Sequence, residues 1–85
     1  MDIKALVRQK RSVNNFLQAE EIVEFREINK LTQKDAGLLL GGGIRAFYKY
    51  EKEKQCQGKS TDILMKLLLQ KKITIDDIKS VNKKE

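Results

Sequence analysis

The chain has 85 residues and a mass of 9.8 kDa, which allows one small domain. Its 18 basic and 12 acidic residues give a net charge of +6, and 40% of its residues are hydrophobic. One cysteine and no histidine exclude an internal disulfide, a Cys/His zinc site built by this chain alone, and a Ser-His or Cys-His catalytic pair. No apolar run is long enough for a membrane span, so the composition predicts a cytosolic helical module whose basic surface favours nucleic acid.

The N-terminal segment, residues 1–17, allows two interpretations. Ile3, Leu6 and Val7 would suit one face of a helix, whereas residues 12–15 interrupt the pattern. We therefore expect either an extended arm or a short helix. The segment also carries three bases that are interpreted as solvated charge in preference to contacts with a DNA backbone or minor groove: Arg8, Lys10 and Arg11.

A first helix is predicted over residues 19–29, where Ile22, Phe25 and Ile28 recur at intervals of three. Acids stand in its first turn, where the helix dipole favours negative charge. This helix belongs to the one acidic block of the chain, residues 18–40. The positive charge consequently lies towards both ends and on the third predicted helix.

A second helix starts at Thr32, a favourable N-cap, with Asp35 in the position of a capping box. Gly37 in its interior costs about 1 kcal/mol relative to alanine, so we expect a neighbouring helix to approach closely there. The glycines at 41–43 end this helix and supply any positive φ that the turn needs. A third helix then follows over residues 43–52.

The third predicted helix has an inward and an outward face. Spacing places Ile44, Phe47 and Tyr50 inward. The outward face would carry the remaining large side chains, which are Arg45, Tyr48, Lys49 and Lys52. Two short helices joined by a tight turn can present such a face to the major groove of DNA.

The C-terminal half predicts two more helices. After a polar loop at 53–59, which contains Cys56 as a free surface thiol, a fourth helix opens at Ser60 and carries a wide apolar stripe. A fifth helix opens at Thr74, with Asp77 three residues later, and residues 82–85 should fray. The expected fold is therefore all-α, a five-helix bundle over residues 18–81 with an N-terminal arm.

The stretch LTQKDAGLLLGGGIRAFYKYE resembles, without gaps over residues 32–51, the helix-turn-helix of the Cro/Xre-type phage-repressor family. A second and closer resemblance depends on the segment GGGIRAFYKYEK, the loop after it and the segment STDILMKLL. Over residues 12–70 this pattern is similar to the C-terminal DNA-binding domain of MqsA-type antitoxins, which are repressors in type II toxin–antitoxin modules. The resemblance implies a DNA operator and a possible toxin partner. It also implies an N-terminal zinc domain, which one cysteine cannot supply, so the chain would be a short relative or an isolated domain.

The resemblance implies roles for individual residues. Where the family reads bases with Asn and Arg four positions apart, this chain has Arg45 and Lys49, which favours a different operator because Arg pairs best with guanine. Tyr48 is the third expected base contact. The expected phosphate contacts are Thr32, Gln33, Lys34, Gly43 and Lys52. Gln33 lies on the first turn of its helix, where backbone N–H groups and a side-chain amide can meet a phosphate.

The preferred hypothesis is a sequence-specific double-stranded DNA-binding repressor that forms a homodimer in the cytoplasm and joins the nucleoid through DNA. The expected dimer residues are Met65, Leu69, Ile75 and Ile78. The alternative is a protein-interaction module that binds a toxin or scaffolds dimers through the apolar helix at 60–71. No catalytic pair is visible, so we expect neither catalysis nor a cofactor or metal.

Overall fold

Six α-helices and no strand occur among residues 2–82, the part of the chain that the computed structural model describes. The helices are α1 (Ile3–Asn14), α2 (Ala19–Ile28), α3 (Gln33–Leu40), α4 (Ala46–Glu51), α5 (Lys59–Leu69) and α6 (Ile75–Asn82). The all-α prediction is confirmed. No helix in this range is long and apolar enough to cross a bilayer.

The prediction of five helices is one short, because the segment left open as an arm or a helix forms α1. Asp2 caps the start of α1 by accepting a hydrogen bond from the Lys4 N–H at 3.0 Å. Asn15 ends it in the left-handed conformation, with φ of 59°. The polar residues before Asn15 therefore close the helix and do not break it earlier.

The core lies where α2, α3, α4 and α5 meet. Side chains with no exposed surface come from all four helices: Ile22, Phe25, Ala36, Phe47 and Met65. The Phe47 ring stacks on Phe25 with centroids 6.5 Å apart and meets Tyr50 edge-on at 5.3 Å. Phe47 therefore joins the first and third predicted helices at the centre of the domain.

Of the three predicted N-caps, two are confirmed and one shifts. The Thr32 hydroxyl accepts from the Asp35 N–H at 3.0 Å. Thr74 and Asp77 form a reciprocal cap, with N–H to side-chain oxygen distances of 2.8 and 3.1 Å. The fourth predicted helix begins at Lys59 after Gly58, not at Ser60. The tail that was predicted to fray comprises residues 82–85. Asn82 is the last residue of α6, and residues 83–85 lie outside the described part of the chain.

A buried polar network attaches α1 to the rest of the domain. Arg11 has no exposed surface, and its guanidinium donates to the Gln57 side-chain oxygen and the Tyr50 carbonyl, both at 2.9 Å. Asp62, also buried, accepts from the Leu17 N–H at 2.8 Å and from the Gln57 amide at 3.1 Å. The interpretation of Arg11 as solvated charge was wrong, because the side chain is buried and hydrogen-bonded to α4 and to the loop that follows it.

Candidate nucleic-acid interface

Three successive glycines with positive φ, 96°, 93° and 92°, form the turn between α3 and α4. At Gly37, on the facing side of α3, a Cβ would overlap the carbonyl oxygen of Gly43. The expected close approach at Gly37 is thus real, and the approaching group is this turn's own backbone. A Cβ at Gly42 would likewise crowd the Ala46 side chain, so Gly37 and Gly42 allow α3, the turn and the start of α4 to approach more closely than side chains would permit.

The helix that follows the turn is shorter than predicted. It begins at Ala46, with Arg45 as its N-cap and the Ala46 N–H bonded to the Gly43 carbonyl at 3.2 Å. Ile44, expected to point inward, is 55% exposed because it belongs to the turn and not to the helix. Ala46 takes the inward position beside Phe47.

The solvent-facing side of α4 is basic. Its exposed residues are Arg45, Tyr48, Lys49 and Lys52, as the spacing predicts. None of the three cations forms an ion pair with any described residue. Lys54 adds a fourth cation, whose Nζ lies 5.5 Å from the centre of the Tyr48 ring. We define these five side chains as the α4 face.

The only acid on α4, Glu51, points away from the α4 face. Its carboxylate forms a two-bond pair with Arg26 of α2, with Nε–Oε2 and Nη2–Oε1 distances of 2.8 and 3.0 Å. These hydrogen bonds raise the pKa of Arg26 above its ordinary value. Because the carboxylate is turned inward and neutralised, the α4 face keeps its full positive charge.

The expected phosphate contacts fall into two groups. Thr32, Gln33 and Lys34 lie at the start of α3, and the structure ties this end to α4 because the Gln33 amide donates to Glu51 at 3.1 Å. Gln33 is half-buried and Lys34 is exposed. In the second group, Gly43 lies in the turn before α4 and Lys52 caps the end of that helix.

Sequence reasoning missed the role of Arg26. In the sequence it is one base within the acidic helix, and nothing separates it from a solvated charge. The available signal was Glu51. This acid follows the inward Tyr50, so its carboxylate requires a partner once α4 packs on its neighbours. The Arg26 guanidinium also donates to the Leu31 carbonyl at 3.1 Å, so it joins three segments.

The expected dimer residues need one correction. Met65 has no exposed surface and lies inside the core, so it is not available to a second copy. Leu69, Ile75 and Ile78 are partly buried against the core. Most of the wide apolar stripe on α5 packs against the core in the same way. Its most accessible large side chain is Ile63, which is 45% exposed.

Apolar surface remains instead between the end of α3 and the far end of α6. A groove of about 440 Å³ is bordered there by Leu38, Leu39, Leu40, Leu64, Ile78 and Val81, with Gly41 at one end. Leu38 and Val81 are 59% and 84% exposed. We name this feature the α3–α6 groove.

The family model for MqsA, described as the antitoxin component of a bacterial toxin–antitoxin system, matches residues 2–79. The chain belongs to the MqsA antitoxin family. The match begins at Asp2, so α1 lies inside the family region together with the α4 face. Among curated proteins, none matches the sequence.

Membership of the family raises the question of a zinc site. The chain contains Cys56 and no other cysteine or histidine, and no three candidate ligands lie together among residues 2–82. Structural zinc sites take four Cys or His ligands. The residues present therefore do not fit such a site.

Proposed function

We propose that this antitoxin-family protein is a sequence-specific double-stranded DNA-binding repressor. In this proposal α3, the glycine turn and α4 act as a helix-turn-helix, and α4 enters the major groove. The protein acts by binding and not by catalysis. The observation that carries the proposal is the α4 face, where every exposed charge is positive and the one acid of the helix is turned inward against Arg26.

In this proposal different side chains have different tasks. Arg45 and Lys49, one turn apart on the exposed side, would meet base edges, and Tyr48 beside them would offer an aromatic ring to a thymine methyl or a phosphate. Thr32, Gln33 and Lys34 at the start of α3 would hold the sugar-phosphate backbone, where the helix dipole also favours an anion. Glu51 positions Gln33 for this role by fixing its amide.

Repression would follow from occlusion of the operator. Two copies would place their α4 helices in successive major grooves about 34 Å apart. Phosphate contacts would provide much of the affinity, so binding should weaken steeply as salt increases. Arg45 in place of the asparagine of the resembling repressors would direct that position to guanine.

Selection of duplexes from a random pool, followed by titration of the selected duplex, tests the proposal. Arg45→Ala and Lys49→Ala should each cost about 1–3 kcal/mol of binding free energy and relax the preference at one base pair. Lys34→Ala should weaken specific and random duplexes alike and reduce the salt slope by about one. Lys72→Ala, which removes an exposed lysine beyond α5, is the charge-matched control and should change neither.

Two outcomes would count against the proposal. Absence of salt-dependent binding to any duplex at low ionic strength would leave the α4 face without a DNA role and favour the protein-interaction alternative. Equal losses from Lys72→Ala and Lys49→Ala would show that only overall charge matters, and that α4 does not read the groove.

A toxin partner is the second candidate, and α1 favours it. Ile3, Leu6 and Val13 are exposed along one side of α1, and the exposed Lys10 lies among them. An acidic protein with an apolar cleft would complement this stripe. Co-purification with the product of a neighbouring reading frame, lost on Val13→Lys and retained on Lys72→Ala, would support it, whereas equal retention by both variants would contradict it.

A further inference from the structure

Besides the α3–α6 groove, a recess of about 600 Å³ opens where the start of α1 meets the residues at the end of α4. Its walls carry three lysines, Lys4 from α1 together with Lys52 and Lys54. All three are exposed, and none forms an ion pair with another described residue. Cations from two distant parts of the chain therefore meet in this feature, which we name the α1–α4 recess.

Two acids also border the α1–α4 recess, and both are held by other groups. The Glu53 side chain is nearly buried and forms an ion pair with Arg8. The Asp2 carboxylate accepts a hydrogen bond from the Lys4 backbone N–H at 3.0 Å and thereby caps α1. Because Arg8 balances Glu53, three lysines face one remaining acid. The recess keeps an excess of positive charge, which favours an anionic ligand.

The buried attachment of α1 sets the position of Lys4. Lys4 and Arg11 are about two turns apart along α1 and lie on the same face of this helix. The Arg11 guanidinium donates to the carbonyl of Tyr50 in the last turn of α4, at 2.9 Å. Because Arg11 is buried against that turn, the same face of α1 carries Lys4 to the end of α4.

The other two lysines are placed by the way in which α4 ends. Glu53 adopts the left-handed conformation, with φ of 59°, and the Lys54 N–H donates to the Lys49 carbonyl at 2.9 Å. This turn folds the chain back against α4 and keeps Lys54 beside Tyr48. Lys52 and Lys54 therefore belong both to the α4 face and to the α1–α4 recess, so the basic surface continues from α4 to α1.

We propose that the α1–α4 recess binds one phosphate of the DNA backbone beside the base pairs that α4 reads, and that Lys4 is the contact contributed by α1. A helix in the major groove has sugar-phosphate backbone on both sides, and residues that flank it meet that backbone. Lys52 and Lys54 hold this flanking position, and Lys4 extends it. The inference rests on the proposed function, because it adds α1 to the same DNA interface.

The α1–α4 recess is distinct from most of the exposed apolar stripe of α1. Ile3 borders the recess, whereas Leu6 and Val13 do not. A protein partner that covers Leu6 and Val13 and a phosphate that meets Lys4 would therefore use different sides of the same helix. A change of charge at Lys4 tests the phosphate contact without altering the apolar side chains.

Titration of the selected duplex at several salt concentrations tests the inference. Lys4→Gln removes one charge but keeps the backbone N–H that Asp2 caps, and urea unfolding verifies that the variant is folded. It should reduce the slope of log K against log salt by about one, for selected and random duplexes alike. Lys4→Arg should keep the wild-type slope. Lys10→Gln, which removes an exposed charge from another side of α1, is the matched control and should also keep it.

A second measurement identifies the phosphate. Each phosphate of the selected duplex is replaced in turn by a neutral methylphosphonate, and the loss of affinity is measured for the wild type and for Lys4→Gln. One position beside the base pairs assigned to Arg45 and Lys49 should weaken the wild type more than Lys4→Gln, because the variant has already lost that contact. Such non-additivity marks two groups that interact directly.

The outcomes separate this inference from the proposed function. A reduced slope in Lys4→Gln alone, together with one phosphate that couples to Lys4, supports the inference. A wild-type slope in Lys4→Gln, an equal reduction in Lys10→Gln, or equal losses of both proteins at every methylphosphonate overturns the inference and leaves the proposed function in place. Absence of salt-dependent binding of the wild type to any duplex overturns both.

Discussion

The contacts of α4 and those of α1 hold two short helices in place by different means. The first set is apolar: Phe47 is enclosed by Phe25 and Tyr50, and Gly37 admits the backbone of the turn. The second set is polar: Arg11 is enclosed by side-chain and carbonyl oxygens from α4 and from the loop that follows it. Only Val7 and Arg11 of α1 are buried, so this helix has little apolar area with which to attach itself.

The difference teaches where the stability of each part originates. The apolar junction depends on removing surface from water, so it should respond little to pH or to surface charge. The attachment of α1 depends on hydrogen bonds between groups that bind water in the unfolded chain. Each of these bonds therefore adds only a small net amount to the free energy of unfolding. Removing a partner is nevertheless costly, because the remaining groups stay buried without one.

The largest expected effect lies at the apolar junction. Phe47→Ala removes a fully buried ring and should cost about 3–5 kcal/mol of the free energy of unfolding. Tyr48→Ala, at the next residue but 42% exposed, should cost much less. Urea unfolding of both variants measures the two costs. Similar costs for Phe47→Ala and Tyr48→Ala would contradict the central position of Phe47.

The polar attachment should yield the next largest effect. Arg11→Met keeps an apolar stem but removes the guanidinium donor of the buried Gln57 side-chain oxygen, and it leaves the Tyr50 carbonyl with the Glu53 N–H as donor, at a cost of about 2–3 kcal/mol. Lys10→Met, on the exposed side of the same helix, should be close to neutral. Because Tyr50 belongs to α4, Arg11→Met should also weaken binding to the selected duplex.

An Arg11→Met variant that is as stable as Lys10→Met would mean that the polar contacts of α1 do not stabilise the domain. Buried charges can sometimes be replaced by apolar side chains without loss, since their desolvation offsets what they gain. Unfolding free energies of the two variants within about 0.5 kcal/mol of each other would place the α1 attachment in that class. The network would then specify where α1 docks without stabilising the domain.

The same contrast explains what could be predicted from the sequence. Apolar spacing and turn chemistry located α2 to α6, the glycine turn, the Thr32 cap and the exposed Tyr48, because periodicity reports which side of a helix is buried. Periodicity could not identify Arg11 and Asp62 as buried or Arg26 as paired, since a charged residue looks the same in a sequence whether water or a protein oxygen surrounds it. Met65 shows the reverse error, because an apolar stripe does not reveal whether the core or a second copy covers it.

The smallest expected effect concerns the ion pair between Arg8 of α1 and Glu53, and it depends on pH. The Arg8 guanidinium donates to Glu53 at 3.0 Å, and this hydrogen bond lowers the pKa of the Glu53 carboxyl below its ordinary value. The charges of Lys4 and Arg11 lower this pKa further, whereas burial of the carboxyl opposes the shift. A carboxyl whose pKa is lower in the folded state stabilises that state above its unfolded pKa, about 4.3 for glutamate. The contribution is lost as the pH falls through the folded pKa.

Glu53→Gln should therefore be less stable than the wild type at pH 7, by less than Arg11→Met, because Arg8 is largely exposed and solvent screens the pair. The gap between Glu53→Gln and wild type should narrow below about pH 4.3 and close as the carboxyl becomes protonated. Glu24→Gln, an exposed carboxylate of α2 that forms no ion pair with a described residue, is the control and should show no gap that depends on pH in this way. Urea unfolding from pH 7 to pH 3 measures all three proteins. A gap that is constant across this range would mean that titration of the Glu53 carboxyl does not contribute to stability, and the attachment of α1 would then rest on the buried arginine alone.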